Sequence, residues 1–195
     1  MLLPVGWMME LKKTKSKSMK KILLIGLVVS SHALFAQKLT STNSITTFFS
    51  SATLEDIAAT TKKGKSVIDT SNGNIAFSIP ISSFEFEKLL MQEHFNEKYM
   101  ETEKFPKASF SGLIEKWNGE SLEVATTKGK LNIHGVTKEI IVNGNVIFEE
   151  NRLILTAKFN VRLEDFGVEV PSLMFQKIAE VVEITINYEY PTDEN

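Results

Sequence analysis

The chain has 195 residues, 43% of them hydrophobic and 24% charged, with a formal net charge of −2 and no cysteine. That balance belongs to a folded domain and excludes a disordered or fibrous chain. Without cysteine there is no disulfide, thiolate metal site, cysteine nucleophile or lipid-modified cysteine anchor, so stability must come from an apolar core.

The first element in chain order is a leader. Met19, Lys20 and Lys21 precede ILLIGLVVSSHALFA, a basic segment followed by an apolar one ending in small residues, which is the pattern of a secretory signal peptide. The apolar run 22–36 is interrupted by Ser30, Ser31 and His32, and a membrane-spanning helix needs roughly 20 apolar residues, so no span is expected in the mature chain. Cleavage is expected near Ala36, before Gln37, with Ala33 as the alternative, and Met19 is an alternative start. The expected organisation is a leader over 1–36, one domain over 37–195, and a periplasmic or secreted location. Of the 22 basic and 24 acidic residues, six lysines and one glutamate lie in the leader, leaving 16 against 23 and a net charge of −7. A chain this acidic is unsuited to nucleic acid or to anionic lipid surfaces, which both call for clustered Lys and Arg.

From there the dominant period is two, the signature of half-buried strands. Strands are predicted over 45–50, 54–60 and 66–69, then over 75–81, where Ile75, Phe77, Ile79 and Ile81 alternate with small or polar neighbours. Between Phe84 and Phe105 the period changes. Phe86, Leu89, Leu90 and Phe95 fall on one helical face, which predicts a helix of about three turns. Strands resume over 108–114, 122–133 and 140–148, with Gly144 read as a bulge or bend. Over 152–164, Leu153, Leu155, Ala157, Phe159, Val161 and Leu163 form one apolar row. A short helix is predicted over 173–180, and the last strand, 182–190, carries Val182, Ile184, Ile186, Tyr188 and Tyr190 on one face. The links KKGK, SNG, WNGE, HGVT and EENR are short and rich in turn formers, so neighbouring strands should be antiparallel. The expected fold is all-β, an antiparallel up-and-down barrel of about eight strands with one helical excursion.

Two stretches are more specific than this periodicity: HFNEKYMETEKFPKASFSG, and GKLNIHGVTKEIIVNG some twenty residues later. With the DFGVEVP turn after the long alternating strand, they resemble the YceI-like family of exported proteins, over roughly 44–190. The resemblance implies a lipocalin-like barrel with its helical excursion near the mouth and an elongated apolar interior. Some members of that family hold a polyisoprenoid chain, such as an isoprenoid quinone, and no catalytic residues are characteristic of it.

Candidates for chemistry are few. His134 sits beside Gly135 where two strands reverse, and is read as a turn residue. His94 with Glu93, Glu97 and His134 is a weak zinc candidate, because no H-x-x-x-H or H-E-x-x-H spacing exists. Glu101 and Glu103 are read as solvated surface carboxylates, and the triplet Asp165, Phe166 and Gly167 as a bend. No nucleophile elbow or phosphate-binding glycine loop is present, so no catalytic residue, metal or enzyme activity is assigned.

The expected function is non-covalent sequestration or carriage of an apolar small molecule or lipid, with an isoprenoid lipid or quinone as ligand and no other cofactor. Interior rows containing Phe77, Ile79, Phe110, Leu155, Phe159, Val161, Ile184 and Ile186 would hold it, and Phe95, Tyr99 and Met100 on the excursion would act as lid or entrance. An eight-stranded barrel is either just filled by side chains or just able to hold one small ligand. The alternative is therefore a filled barrel serving as an exported interaction or stress-associated module. Oligomeric state is left open.

Overall fold

The computed structural model describes residues 38–51, 56–169 and 179–192. The leader and its cleavage site, the first residues of the strand expected at 54–60, and nearly all of the helix expected at 173–180 lie outside the described residues. The alternating rows form strands as their periodicity requires. They are β1 (Lys38–Thr40), β2 (Asn43–Ser50), β3 (Ile57–Thr61), β4 (Lys65–Asp69), β5 (Asn74–Pro80), β6 (Glu85–Phe86), β7 (Lys107–Ile114), β8 (Leu122–Ile133), β9 (Val136–Glu149), β10 (Arg152–Arg162) and β11 (Val181–Pro191). The excursion contains a short helix, α1 (Leu89–His94), continued by a π-helical turn over Phe95–Tyr99.

All pairings are antiparallel within one strongly curled sheet, in the order β1-β4-β5-β7-β8-β9-β10-β11-β2-β3-β6. The strands from β7 to β10 run as a simple meander, as the short links predict, and β11 continues it after a longer connection. The first part of the chain does not. The KKGK link was expected to join hydrogen-bonded neighbours, yet β3 pairs with β2 and β6 while β4 pairs with β1 and β5. The cause is a bent strand: β1 lies along β4, then the chain turns at Ser41 and Thr42 and continues as β2 along β11. Ser41 N donates to Ser66 O and Thr42 N to Glu189 O, both at 2.9 Å, so this bend stitches the two sheet edges together.

The seam beneath the bend is sealed by side chains. Tyr188 and Tyr190, both fully buried, end the inner row of β11. The Tyr188 hydroxyl shares a 3.0 Å hydrogen bond with Thr46 Oγ1. The Tyr190 hydroxyl donates to Ser66 Oγ at 2.7 Å, and Ser66 Oγ donates to Ala76 O at 2.8 Å. Buried hydroxyls without such partners would each cost about 1–3 kcal/mol. Gly64 in the crossing link packs so closely on the Tyr188 hydroxyl that a Cβ would collide with it, which is why the link needs a glycine there.

Two local corrections follow. The irregularity assigned to Gly144 lies on its partner: Leu122 pairs with Val146 and Ala125 with Gly144, so Glu123 and Val124 form a bulge opposite Asn145. Gly144 is required for a different reason, since a Cβ there would strike the Thr156 carbonyl on β10. The excursion is about three turns long, but its apolar face is not the one expected. Leu89 and Leu90 are 81% and 63% exposed, and Phe86 belongs to β6, paired with Ala59.

Candidate functional site

The inner face carries two apolar clusters. One surrounds Ile68, Ile75, Leu153, Tyr188 and Tyr190 near the seam; the other gathers Phe84, Met100, Leu131, Val161 and Phe166 under the excursion. Phe110 and Ile184 pack against both, and between the clusters lies an interior cavity of about 210 Å³ with a lining that is almost entirely apolar.

The alternation that forms each strand also aims its side chains into this space. On β5 and β7, Phe77, Ile79 and Phe110 border the cavity; Phe77 pairs with Phe110 across the strands, their ring centroids 6.2 Å apart. On β10 and β11 the bordering residues are Leu155, Phe159, Val161, Ile184 and Ile186, with Phe159 opposite Ile184 and Ala157 opposite Ile186. Phe95, Tyr99 and Met100 border it from the excursion. All eleven side chains singled out from the sequence therefore lie around one space.

Met91 and Phe48 also border the cavity and escape the sequence pattern. Met91, Phe95 and Tyr99 all face the cavity; their spacing of four residues is the periodic signal that fixes the helix face. Phe95 is held by a cage of aromatic rings, stacked on Phe48 at 5.4 Å, edge-on to Phe84 at 6.0 Å and tilted against Phe86 at 4.9 Å. Such pairs contribute about 0.5–1.5 kcal/mol each beyond area burial. Phe48 was hidden because its inner row on β2 reads Ser44, Thr46, Phe48, Ser50, and three polar residues mask the alternation.

His134 and Gly135 have φ of 51° and 77° and form the two-residue turn between Ile133 and Val136, which are paired. Two positive φ values are what a type I′ hairpin needs. The imidazole nevertheless has a task, since His134 Nε2 lies 3.0 Å from Glu101 Oε2, with the side chain of His134 only 11% exposed. Phe105 packs edge-on at 4.4 Å. Glu101, expected to be a solvated carboxylate, ties the end of the excursion to the β8–β9 hairpin, and its own φ of 42° is strained for a non-glycine residue. Asp165 falls in a 3-10 turn, Leu163–Phe166, which Gly167 closes in the left-handed conformation. Among the described residues no group of three or more His, Asp or Glu is arranged to hold a metal ion, and no helix is long and apolar enough to cross a membrane.

A curled antiparallel sheet around an apolar cavity, with a short helical excursion across one end, defines a lipocalin-like binding barrel. Residues 29–190 match the YceI-like domain, and the chain belongs to that family. It is 31% identical over 97 residues to the UPF0312 protein plu2095 of Photorhabdus laumondii, a match spanning 46% of this chain and about half, 49%, of that protein. Among solved structures it resembles a polyisoprenoid binding domain from Saccharophagus degradans implicated in plant cell wall breakdown. There the TM-score is 0.69 at 17% identity, covering 81% of this chain and 99% of that one. BcnA of Burkholderia cenocepacia is similar with a TM-score of 0.66 at 17% identity, over 75% and 95% of the two chains. At such identities the likeness speaks for the fold.

Proposed function

We propose that this protein is an exported carrier that holds one apolar chain, a polyisoprenoid or an isoprenoid quinone, inside its barrel by burial alone. The observation that carries the reading is the cavity itself, about 210 Å³ bordered by Phe, Ile, Leu, Val and Met. A dry apolar cavity of about 150 Å³ already binds benzene. A filled barrel serving only as an interaction module would have no such space. Each methylene taken from water contributes about 0.8 kcal/mol, so tight binding needs no charged partner. The space as it stands accommodates a ring or a short run of chain. A longer ligand displaces the Met91, Met100 and Phe95 side chains or extends through an opening. Export rests on the leader pattern at 19–36, and the polyisoprenoid class on the family and on the Saccharophagus domain.

The test is to express the full chain in a bacterial host, recover the periplasmic fraction, and compare the native mass with that after organic extraction. The expected result is a chain shortened near Ala36 whose native mass exceeds its denatured mass by one lipid, identified in the extract. Equal masses from several hosts, with no extractable lipid, would overturn the carrier reading.

A further inference from the structure

Among the described residues, the barrel wall has a gap. β9 pairs with β8 as far as Val136↔Ile133, and β10 pairs with β11 as far as Arg162↔Val181. β9 and β10, however, pair with each other only from Arg152↔Glu149 to Ala157↔Gly144. Beyond Gly144 the two strands run on as open edges, residues 139–143 against 158–162, with no ladder between them. A strand edge presents alternate N–H and C=O groups that seek partners. The gap is bounded at one end by Gly144, pressed against the Thr156 carbonyl, and at the other by an ion pair of 3.6 Å between Lys138 Nζ and Asp165 Oδ1.

The cavity reaches this gap. Val142, Phe159 and Val161 border it from inside, and the ladder beside it ends next to the paired Asn145 and Thr156, where Thr156 Oγ1 donates to Asn145 Oδ1 at 2.9 Å. The inner side of the slit is therefore wall of the cavity, and only the missing ladder separates that apolar space from the outer face. The outer rim is polar and carries charges held in ion pairs: Thr126 Oγ1 donates to Asn143 Oδ1 at 2.9 Å, Lys158 Nζ lies 2.8 Å from Glu183 Oε1, and Ile141 between them is 62% exposed. The excursion offers no comparable opening, because Phe95 is caged by three rings and Glu101 is tied to His134.

We propose that the slit between β9 and β10 is the portal of the barrel: an apolar chain slides in sideways, and a polar, oxygen-bearing end stays at the rim, where Asn143 and the open strand edges supply hydrogen bonds. This rests on the carrier reading above and adds to it the route and the class of the exposed end. The natural absence of cysteine makes it testable on the full chain. Asn143→Cys and Lys158→Cys place thiols on positions that would face each other had the β9–β10 register continued, and a reducible bis-methanethiosulfonate bridge then ties the edges. The probe is all-trans-retinol, an uncharged isoprenoid alcohol whose fluorescence reports burial.

Bridging is expected to slow retinol loading at least about tenfold, with recovery on reduction and much smaller effects from each thiol labelled alone. Loading at the unbridged rate overturns the portal while leaving the carrier reading intact, as does a tenfold faster loading on releasing the excursion with Glu101→Gln. No retinol uptake by the unmodified chain overturns both. Hydrogen exchange gives an independent check: fast exchange at alternate amides in 158–162 is expected, and protection there equal to that of 152–157 would show a continuous wall and overturn the proposal.

Discussion

The two ends of the barrel are built on opposite principles. At the seam end, Leu153, Tyr188 and Tyr190 are completely buried, every tyrosine hydroxyl has a partner, and the strand bend ties two sheet edges by backbone hydrogen bonds. At the excursion end the buried Phe84, Met100 and Phe166 are overlaid by half-buried rings, Phe48, Phe86, Phe95 and Tyr99, under a helix of six residues that leaves Leu89 and Leu90 in water. A closed, polar-knotted end resists deformation, whereas an end lined by methionines and half-buried rings can repack its side chains at low cost without moving the backbone. Stability and binding are thus separated along the barrel axis.

The strongest way to break that separation is to cut both ends equally. Leu153→Ala at the seam should lower unfolding free energy by about 2–5 kcal/mol in urea denaturation, since a fully enclosed side chain leaves a cavity. Phe95→Ala should cost about half as much or less, and should enlarge the cavity and change retinol affinity instead. Equal losses would mean that the excursion is part of the rigid core. Next in size, Gly144→Ala forces a methyl group onto the Thr156 carbonyl and should cost roughly 1–3 kcal/mol in the same assay.

A smaller effect sharpens the contrast through pH. Burial pushes the Tyr190 phenol well above the usual tyrosine range and raises Tyr188 as well. A phenol whose folded-state pKa is raised stabilises the fold fully below its unfolded value of about 10, and that contribution is lost as pH rises beyond it. The protein should therefore unfold in alkali. Tyr190→Phe, which removes one titrating group along with the bond to Ser66, should shift that transition upward while costing about 1 kcal/mol near neutrality. An unchanged alkaline midpoint would place the titrating group elsewhere. Smallest of all, Leu90→Ser should move stability by no more than about 0.5 kcal/mol, because its side chain already lies in water.

Much of this was legible in the chain because strand periodicity records burial directly. The rows on β10 and β11 are unbroken apolar alternations, and the side chains read from them border the cavity, except Leu153, Tyr188 and Tyr190, which fill the seam. The bent-strand closure was not legible. Adjacency along the chain predicts that β3 pairs with β4, whereas the bend between β1 and β2 places β1 beside β4 and β2 beside β3, with Gly64 of the crossing link packed on Tyr188. Nor was the helix face, because Leu89 and Leu90 offer more apolar surface than Met91. What decides the face is contact with a cavity built by distant strands, and short helices obey such tertiary demands over their own pattern. The role of Glu101 was equally hidden, since its partner His134 lies 33 residues away.

The bend that joins β1 to β2 also sets a schedule. Thr46 meets Tyr188 across 142 residues of sequence, so the barrel cannot close until almost the last strand has been made. Until then the β7–β10 meander, built from near neighbours and quick to form, stands with its apolar face uncovered. For that interval the chain is a half-open trough, prone to stick to its own copies, and any hydrocarbon already lying in the trough would shield the surface that the closing strands later cover.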